Sequence, residues 1–239
     1  MKAVEIKKYP LKALSEVSKI LTLTGYLRQY GEGMERDTIH TFILCPDIYT
    51  PEKMTVDLVE ANCFEKGYAV MPESQVNIVY LTSILNSAVS WAVMTDGKLE
   101  ERAKILLKNL KNVLVRVLPA HEQQSVAYLQ YLIFEMKRQK NEGGNKPYID
   151  YWSSKYHEAM NAIALELVMP QVYGEYEIDV LGSWLRLIRK CSAENLGTDW
   201  NHLHEIIGNE MLAPQNEVTG NLNKLRVVIH DIIERRGKQ

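Results

Sequence analysis

The stretch Leu106–Met136, LLKNLKNVLVRVLPAHEQQSVAYLQYLIFEM, constrains the fold more than any other part of the chain. Val113–Leu118 is a β-branched run suited to a strand buried on at least one face. Pro119 ends it, because proline has no N–H to give to a sheet ladder. From His121 the pattern predicts a helix, with Glu122 in its first turn facing the positive end of the helix dipole. Val126, Leu129, Ile133 and Met136 recur three and four apart, so they form one apolar stripe along it. A strand stopped by proline and released into an amphipathic helix can join a compact domain to something beyond it.

The rest of the first half predicts a β-rich region with tight turns. Thr38–Cys45, Met54–Ala61 and Gly67–Met71 read as strands, with Pro46-Asp47, Thr50-Pro51-Glu52 and Pro72 supplying turns. Leu11–Thr24 carries Leu14, Val17, Ile20 and Leu21 at helical spacing. Val76–Met94 reads as one helix with Ile78, Leu81, Leu85, Val89 and Val93 on a shared face, and Trp91 is expected to pack. Asn141–Pro147, with Gly143, Gly144 and Pro147, reads as a linker.

Beyond it the pattern is all-helical. One helix carries Trp152, Tyr156, Met160, Ile163 and Leu167, capped by Asp150 or Ser153 and stopped by Pro170. A second carries Val180, Leu181, Trp184, Leu185, Ile188 and Cys191, and a third Trp200, Leu203, Ile206, Ile207 and Met211. The last keeps an a/d register through Val218, Leu222, Leu225, Ile229 and Ile232. The expected fold class is α+β: a β-rich domain over residues 1–140, then an all-α bundle over 147–239.

An ordered set of motifs in the first half carries a family resemblance. The strand, Leu118-Pro119, Glu122-Gln123 and the amphipathic helix resemble the close of a target-recognition domain in type I restriction–modification specificity subunits. Gln75–Ser87, QVNIVYLTSILNS, is similar to an internal helix of those domains, and Asp96-Gly97-Lys98 to their glycine turn. Tyr9–Val17 resembles their opening segment, so the likeness spans about residues 8–137. The central glycine-rich turn has its nearest counterpart in Glu65–Val70, and one such domain stands where a full subunit has two. The resemblance implies a protein that recognises double-stranded DNA and works beside a methyltransferase or restriction subunit. Pairing into a homodimer would restore two recognition domains.

Two segments supply candidate DNA contacts. Gly25–Gly33 places Tyr26, Arg28 and Gln29 between glycines, where they can read bases or bind phosphate, or form a surface hairpin loop. Lys98–Arg116 holds Lys98, Arg102, Lys104, Lys108, Lys111 and Arg116 against Glu100 and Glu101. This is either a phosphate-contacting stripe or the solvated face of a helix whose apolar side is Ala103, Leu106, Leu107 and Leu110. The stripe Val126, Leu129, Ile133 and Met136 is the candidate partner-binding surface. On the alternative reading the chain is a protein–protein interaction module that keeps the scaffold without DNA readout.

Charge restrains the DNA reading to a local one. The net charge is −2, distributed as +1 over residues 1–145 (18 Lys+Arg, 17 Asp+Glu) and −3 over 146–239 (10 and 13). Cys45, Cys63 and Cys191 form no C-x-x-C pair, so neither a disulfide framework nor a zinc site is expected. No apolar run approaches the roughly 20 residues that span a bilayer, and a cytoplasmic protein is expected. His202, His204, Glu205 and Glu210 cluster in sequence, but His204 leaves the face that His202 and Glu205 share, and it is expected on a helix surface. No nucleophile elbow, phosphate loop or dinucleotide fingerprint occurs, so neither catalysis nor a cofactor is expected.

Overall fold

A computed structural model describes residues 6–30, 42–49, 57–59, 66–192 and 200–236. The fold is α+β with a helical C-terminal half. It divides into two compact units, Pro10–Gln124 and Ser125–Gln239, the latter together with Met1–Tyr9.

In the first unit β1 (Leu11–Ala13) runs antiparallel to β8 (Leu114–Arg116), with Leu11 opposite Arg116. A 3-10 turn (Leu14–Glu16) leads to β2 (Ser18–Thr22). An antiparallel sheet then has the order β2, β6 (Gly67–Pro72), β3 (Phe42–Pro46), β5 (Asp57–Val59). β4 (Ile48–Tyr49) pairs with β7 (Ala103–Lys104). The strands expected around Cys45, Leu58 and Val70 are present; Thr38–Thr41, Met54–Val56 and Glu60–Ala61 lie outside the described residues. The residues at helical spacing in the opening segment Leu11–Thr24 fall on strand, 3-10 turn and strand, with a helix beginning only at Leu23. Leu14 and Val17 are both buried, and a single tight turn satisfies their spacing of three as well as a helix does. β6 approaches β3 so closely at Gly67 that a Cβ there would lie 2.5 Å from the Cys45 carbonyl oxygen.

The chain leaves β2 into α1 (Leu23–Tyr30), whose Gly25 N–H donates to the Thr22 hydroxyl at 3.1 Å, an N-cap bond. The single helix expected over Val76–Met94 is two, α2 (Ile78–Leu85) and α3 (Ala88–Met94). Hydroxyls of Ser87 and Ser90 both donate to the Ile84 carbonyl at 2.6 Å, taking the acceptor that a continuous helix would use. Val93, expected on the buried face, is exposed, whereas Trp91 is buried as expected. α4 (Leu107–Lys111) follows β7.

β8 is released at Pro119 into α5 (Ala120–Asn141), as expected. Gln123, almost fully buried, gives its motif a physical meaning. Its Oε1 accepts from the Asn77 N–H at 2.7 Å, while its Nε2 donates to the carbonyls of Leu118 (2.7 Å) and Gln75 (3.0 Å). The Asn77 side chain in turn caps α2 through the Val79 and Tyr80 N–H groups. Gln123→Ala leaves the buried Leu118 carbonyl without this donor, takes the same side chain from the part-buried Asn77 N–H and Gln75 carbonyl, and opens a void, so it is expected to destabilise this unit by roughly 2 kcal/mol. Urea unfolding monitored at the tryptophans measures the loss; an unchanged midpoint would contradict the role.

The second unit holds α5 from Ser125 onward, α6 (Lys146–Val168), α7 (Pro170–Glu175), α8 (Val180–Ser192), α9 (Trp200–Leu212) and α10 (Glu217–Arg236). The division between units falls inside α5, and the segment 141–147 joins α5 and α6 within one unit. Gly143 takes φ +82°, where L side chains are strained, and the Gly144 N–H closes the turn on the Gln139 carbonyl at 2.9 Å. Asn145, rather than Asp150 or Ser153, caps α6, and Pro147 sits in its first turn where a missing N–H costs nothing. The stripes expected on α6 and α8 are core, as are Leu203, Ile207 and Met211 of α9; Ile206 is half-buried, and the Trp200 side chain lies outside the described residues. Trp184 anchors α8 by donating from Nε1 to the Ser125 carbonyl at 2.8 Å. Gly208 of α9 admits Trp152, whose Cζ2 would lie 3.1 Å from an added Cβ.

Candidate nucleic-acid interface

The first candidate segment is not a loop where it is described. Tyr26 lies on α1 with only 2 % of its surface exposed, packed with Leu23, Phe42 and Ala69. Its ring is 4.6 Å from that of Phe42. A phenol held there cannot reach a base edge, which removes Tyr26 from the candidate set: the spacing of Leu23 and Tyr26 on one helix face turns it into the sheet. Arg28 and Gln29 fall on the same helix, but their side chains lie outside the described residues, as do Gly31–Gly33.

The second segment is neither one stripe nor one helix. Asp96 (φ +57°) and Gly97 (φ +80°) make the expected turn, closed by the Gly97 N–H on the Ala92 carbonyl at 2.7 Å. β7 and α4 follow, and buried Ala103 and Leu110 within them, with Ile105 and Val113 beside them, anchor the segment to the unit. Alternation on β7 turns Ala103 inward and Lys104 outward. Lys108 and Lys111 occupy the exposed side of α4, where cations near a helix C-terminus are favoured.

Arg116 departs from the stripe. It lies on β8 with 7 % exposure, beneath the Tyr80 hydroxyl, which donates to the Arg116 carbonyl at 2.6 Å. Burial pulls its guanidinium below the usual arginine pKa, and Tyr80 opposes that shift. Lys98 pairs with Glu101 at 3.7 Å, both well exposed, a contact worth little in water. Arg102, Lys104, Lys108 and Lys111 are exposed, and no ion pair to any of them occurs among the described residues. Four cations within ten residues, on an anchored backbone and without internal partners, hold counterions that a polyanion would release.

The stripe Val126, Leu129, Ile133 and Met136 is not a docking surface. All four side chains are buried within the chain itself, so their apolar area is not offered to a partner. Helical spacing marks a face to be covered, and here the covering comes from within the molecule.

The second unit also contains two buried polar sites that sequence reasoning missed. His204, expected on a helix surface, is 3 % exposed. Its Nδ1 lies 2.6 Å from the Tyr156 hydroxyl and its Nε2 2.8 Å from the Tyr148 hydroxyl, with Trp152 edge-on at 5.2 Å. A neutral imidazole has one donor and one acceptor nitrogen, so one tyrosine accepts and the other donates. Burial lowers the His204 pKa, against upward pulls from Glu205 and Glu135. The recurrence of Tyr148, Trp152 and Tyr156 every four residues was the available signal. His202 is exposed and does not join it, and no group of three or more His, Cys, Asp or Glu able to hold a metal occurs among the described residues.

Glu166 is fully buried on α6, and its Oε2 accepts from the Leu181 N–H at 2.8 Å, at the start of α8. Burial pushes its carboxyl up to about 8, opposed by that backbone bond and reinforced by Asp179. Oε1 has no hydrogen-bond partner among the described residues. No helix among the described residues is long and apolar enough to cross a membrane. No protein-family model matches the chain, and neither a curated protein nor a solved structure is detectably similar to it.

Proposed function

We propose that the chain is a non-catalytic DNA-recognition protein of the restriction–modification specificity kind, acting in the cytoplasm beside a methyltransferase or restriction subunit. The observation that carries this reading is the set Arg102, Lys104, Lys108 and Lys111, exposed and without an ion pair among the described residues, on a segment anchored by β7 and α4. Cations placed this way contact phosphates and fix register on a duplex without reading its sequence. Lys98 joins them when its weak pair with Glu101 opens. Arg28 and Gln29 keep the base-reading role that their chemistry gives them, bidentate donors to guanine and adenine edges respectively. The near-neutral chain confines attraction to this segment, which favours a local footprint over indiscriminate binding.

The test is fluorescence anisotropy of a labelled duplex at low salt, with the whole protein and with the variant carrying Arg102→Ala, Lys104→Ala, Lys108→Ala and Lys111→Ala. The variant is expected to bind at least about tenfold more weakly, and by the same factor on unrelated sequences. Circular dichroism of the variant should be unchanged, because none of the four is buried. A wild-type protein that retains no duplex, or a variant that binds as well as wild type, would refute the proposal.

A further inference from the structure

The apolar stripe of α10 begins inside its unit and emerges from it. Val218 and Leu222 are buried, Leu225, Val228 and Ile232 are half-buried, and Ile229 and Ile233 are 41 % and 64 % exposed. From Leu225 onward these residues recur at spacings of three and four, so they form one stripe more than 100° wide. A stripe of that width left facing water is a surface that something else covers.

Lys224 and Asp231 flank it. They stand seven residues apart, two helical turns, and therefore lie on the same edge of the helix. Both are exposed, and neither has an ion pair or hydrogen bond among the described residues. Arg226, by contrast, is held by a two-pronged pair with Glu158 and is not available. One cation and one anion on the same edge, without a partner among the described residues, match their own sequence run in reverse. In a two-fold antiparallel arrangement, Lys224 of each chain meets Asp231 of the partner subunit, and the two stripes close on each other.

We propose that α10 from Lys224 to Ile233 is the seat of a second copy of this chain. An unlike partner would need an apolar helix face with this same charge order reversed; a second copy already has it. The reading does not depend on DNA binding, since every residue it uses lies in the second unit.

The test is sedimentation velocity of the full chain over a range of concentrations. A mass twice that of the chain is expected, falling to the monomer on dilution. Lys224→Asp sets two carboxylates against each other at both symmetric positions, and Asp231→Lys sets two ammonium groups there. Each is expected to weaken association by roughly tenfold. The double variant Lys224→Asp with Asp231→Lys restores both pairs and is expected to associate as wild type does. Ile229→Asp, at a position already in contact with water, should abolish association while leaving the circular dichroism intact. A monomer at every concentration, or a double variant as weak as the single ones, would overturn the proposal.

Discussion

Replacing Leu129 with aspartate is expected to unfold the helical unit rather than to release a partner. Leu129 is fully buried on α5, between Val126 and Ile133 of the same buried stripe. Removing its side chain costs about 2–5 kcal/mol from lost apolar burial and the void left behind. A carboxylate at that site adds several kcal/mol of desolvation unless it takes up a proton. Against a typical total stability of about 5–15 kcal/mol, the sum removes most of what holds one unit folded. Loss of the cooperative unfolding transition in circular dichroism would register the effect. A folded, stable variant with altered assembly would contradict it and return the stripe to the surface. Leu129→Met, of similar volume, should cost no more than about 1.5 kcal/mol.

Alkaline solution is expected to weaken the same unit through one carboxyl. Glu166 has its folded pKa raised to about 8 from an ordinary 4.5. Between those values the unfolded chain has released the proton while the folded chain still holds it. Stability is therefore complete below the ordinary carboxylate pKa, falls as pH rises, and has lost its full increment above about 8. The increment is on the order of 5 kcal/mol, at about 1.4 kcal/mol for each unit of pKa difference. Glu166→Gln keeps an acceptor for the Leu181 N–H but has no charge to bury. It is expected to match wild type near pH 5 and to exceed it increasingly toward pH 9. Urea unfolding of both proteins across that range measures the difference; parallel profiles would mean that Glu166 titrates normally.

Periodicity in the sequence revealed those elements whose side chains all answer to one demand. The β8–Pro119–α5 sequence was legible because a missing proline N–H ends a ladder wherever it falls. The stripes of α8 and α9 were legible because a helix with Val180, Trp184, Ile188 and Cys191 on one face has only one way to hide them. Leu11–Thr24 was misread because Leu14 and Val17 fit both a helix and a 3-10 turn; β2 pairs with β6, a partner nearly fifty residues away, which decides the matter. Distant pairing of this kind leaves no local trace.

The candidate site was legible by residue type and not by direction. Among six basic residues in Lys98–Arg116, composition cannot distinguish Arg116, turned inward on β8, from Lys104, turned outward on β7. Tyr26 had the chemistry of a base reader, but its face of α1 is spent on Phe42. The stripe on α5 had the pattern of a docking surface, and the chain covers it. His204 and Glu166 were hidden for the opposite reason. Each is a polar residue on the mostly apolar buried face of its helix, and its partners, Tyr148 and Tyr156 or the Leu181 N–H, come from another element.

The most direct measurement of the central claim is the salt dependence of duplex binding by wild type and by the variant lacking Arg102, Lys104, Lys108 and Lys111. Each phosphate contact contributes about 0.9 to the slope of log K against log salt concentration. The slope is expected to become shallower by roughly 3–4 in the variant, one step for each lost cation. Equal slopes for the two proteins would mean that these four residues touch no phosphate, and the proposed interface would fall with them.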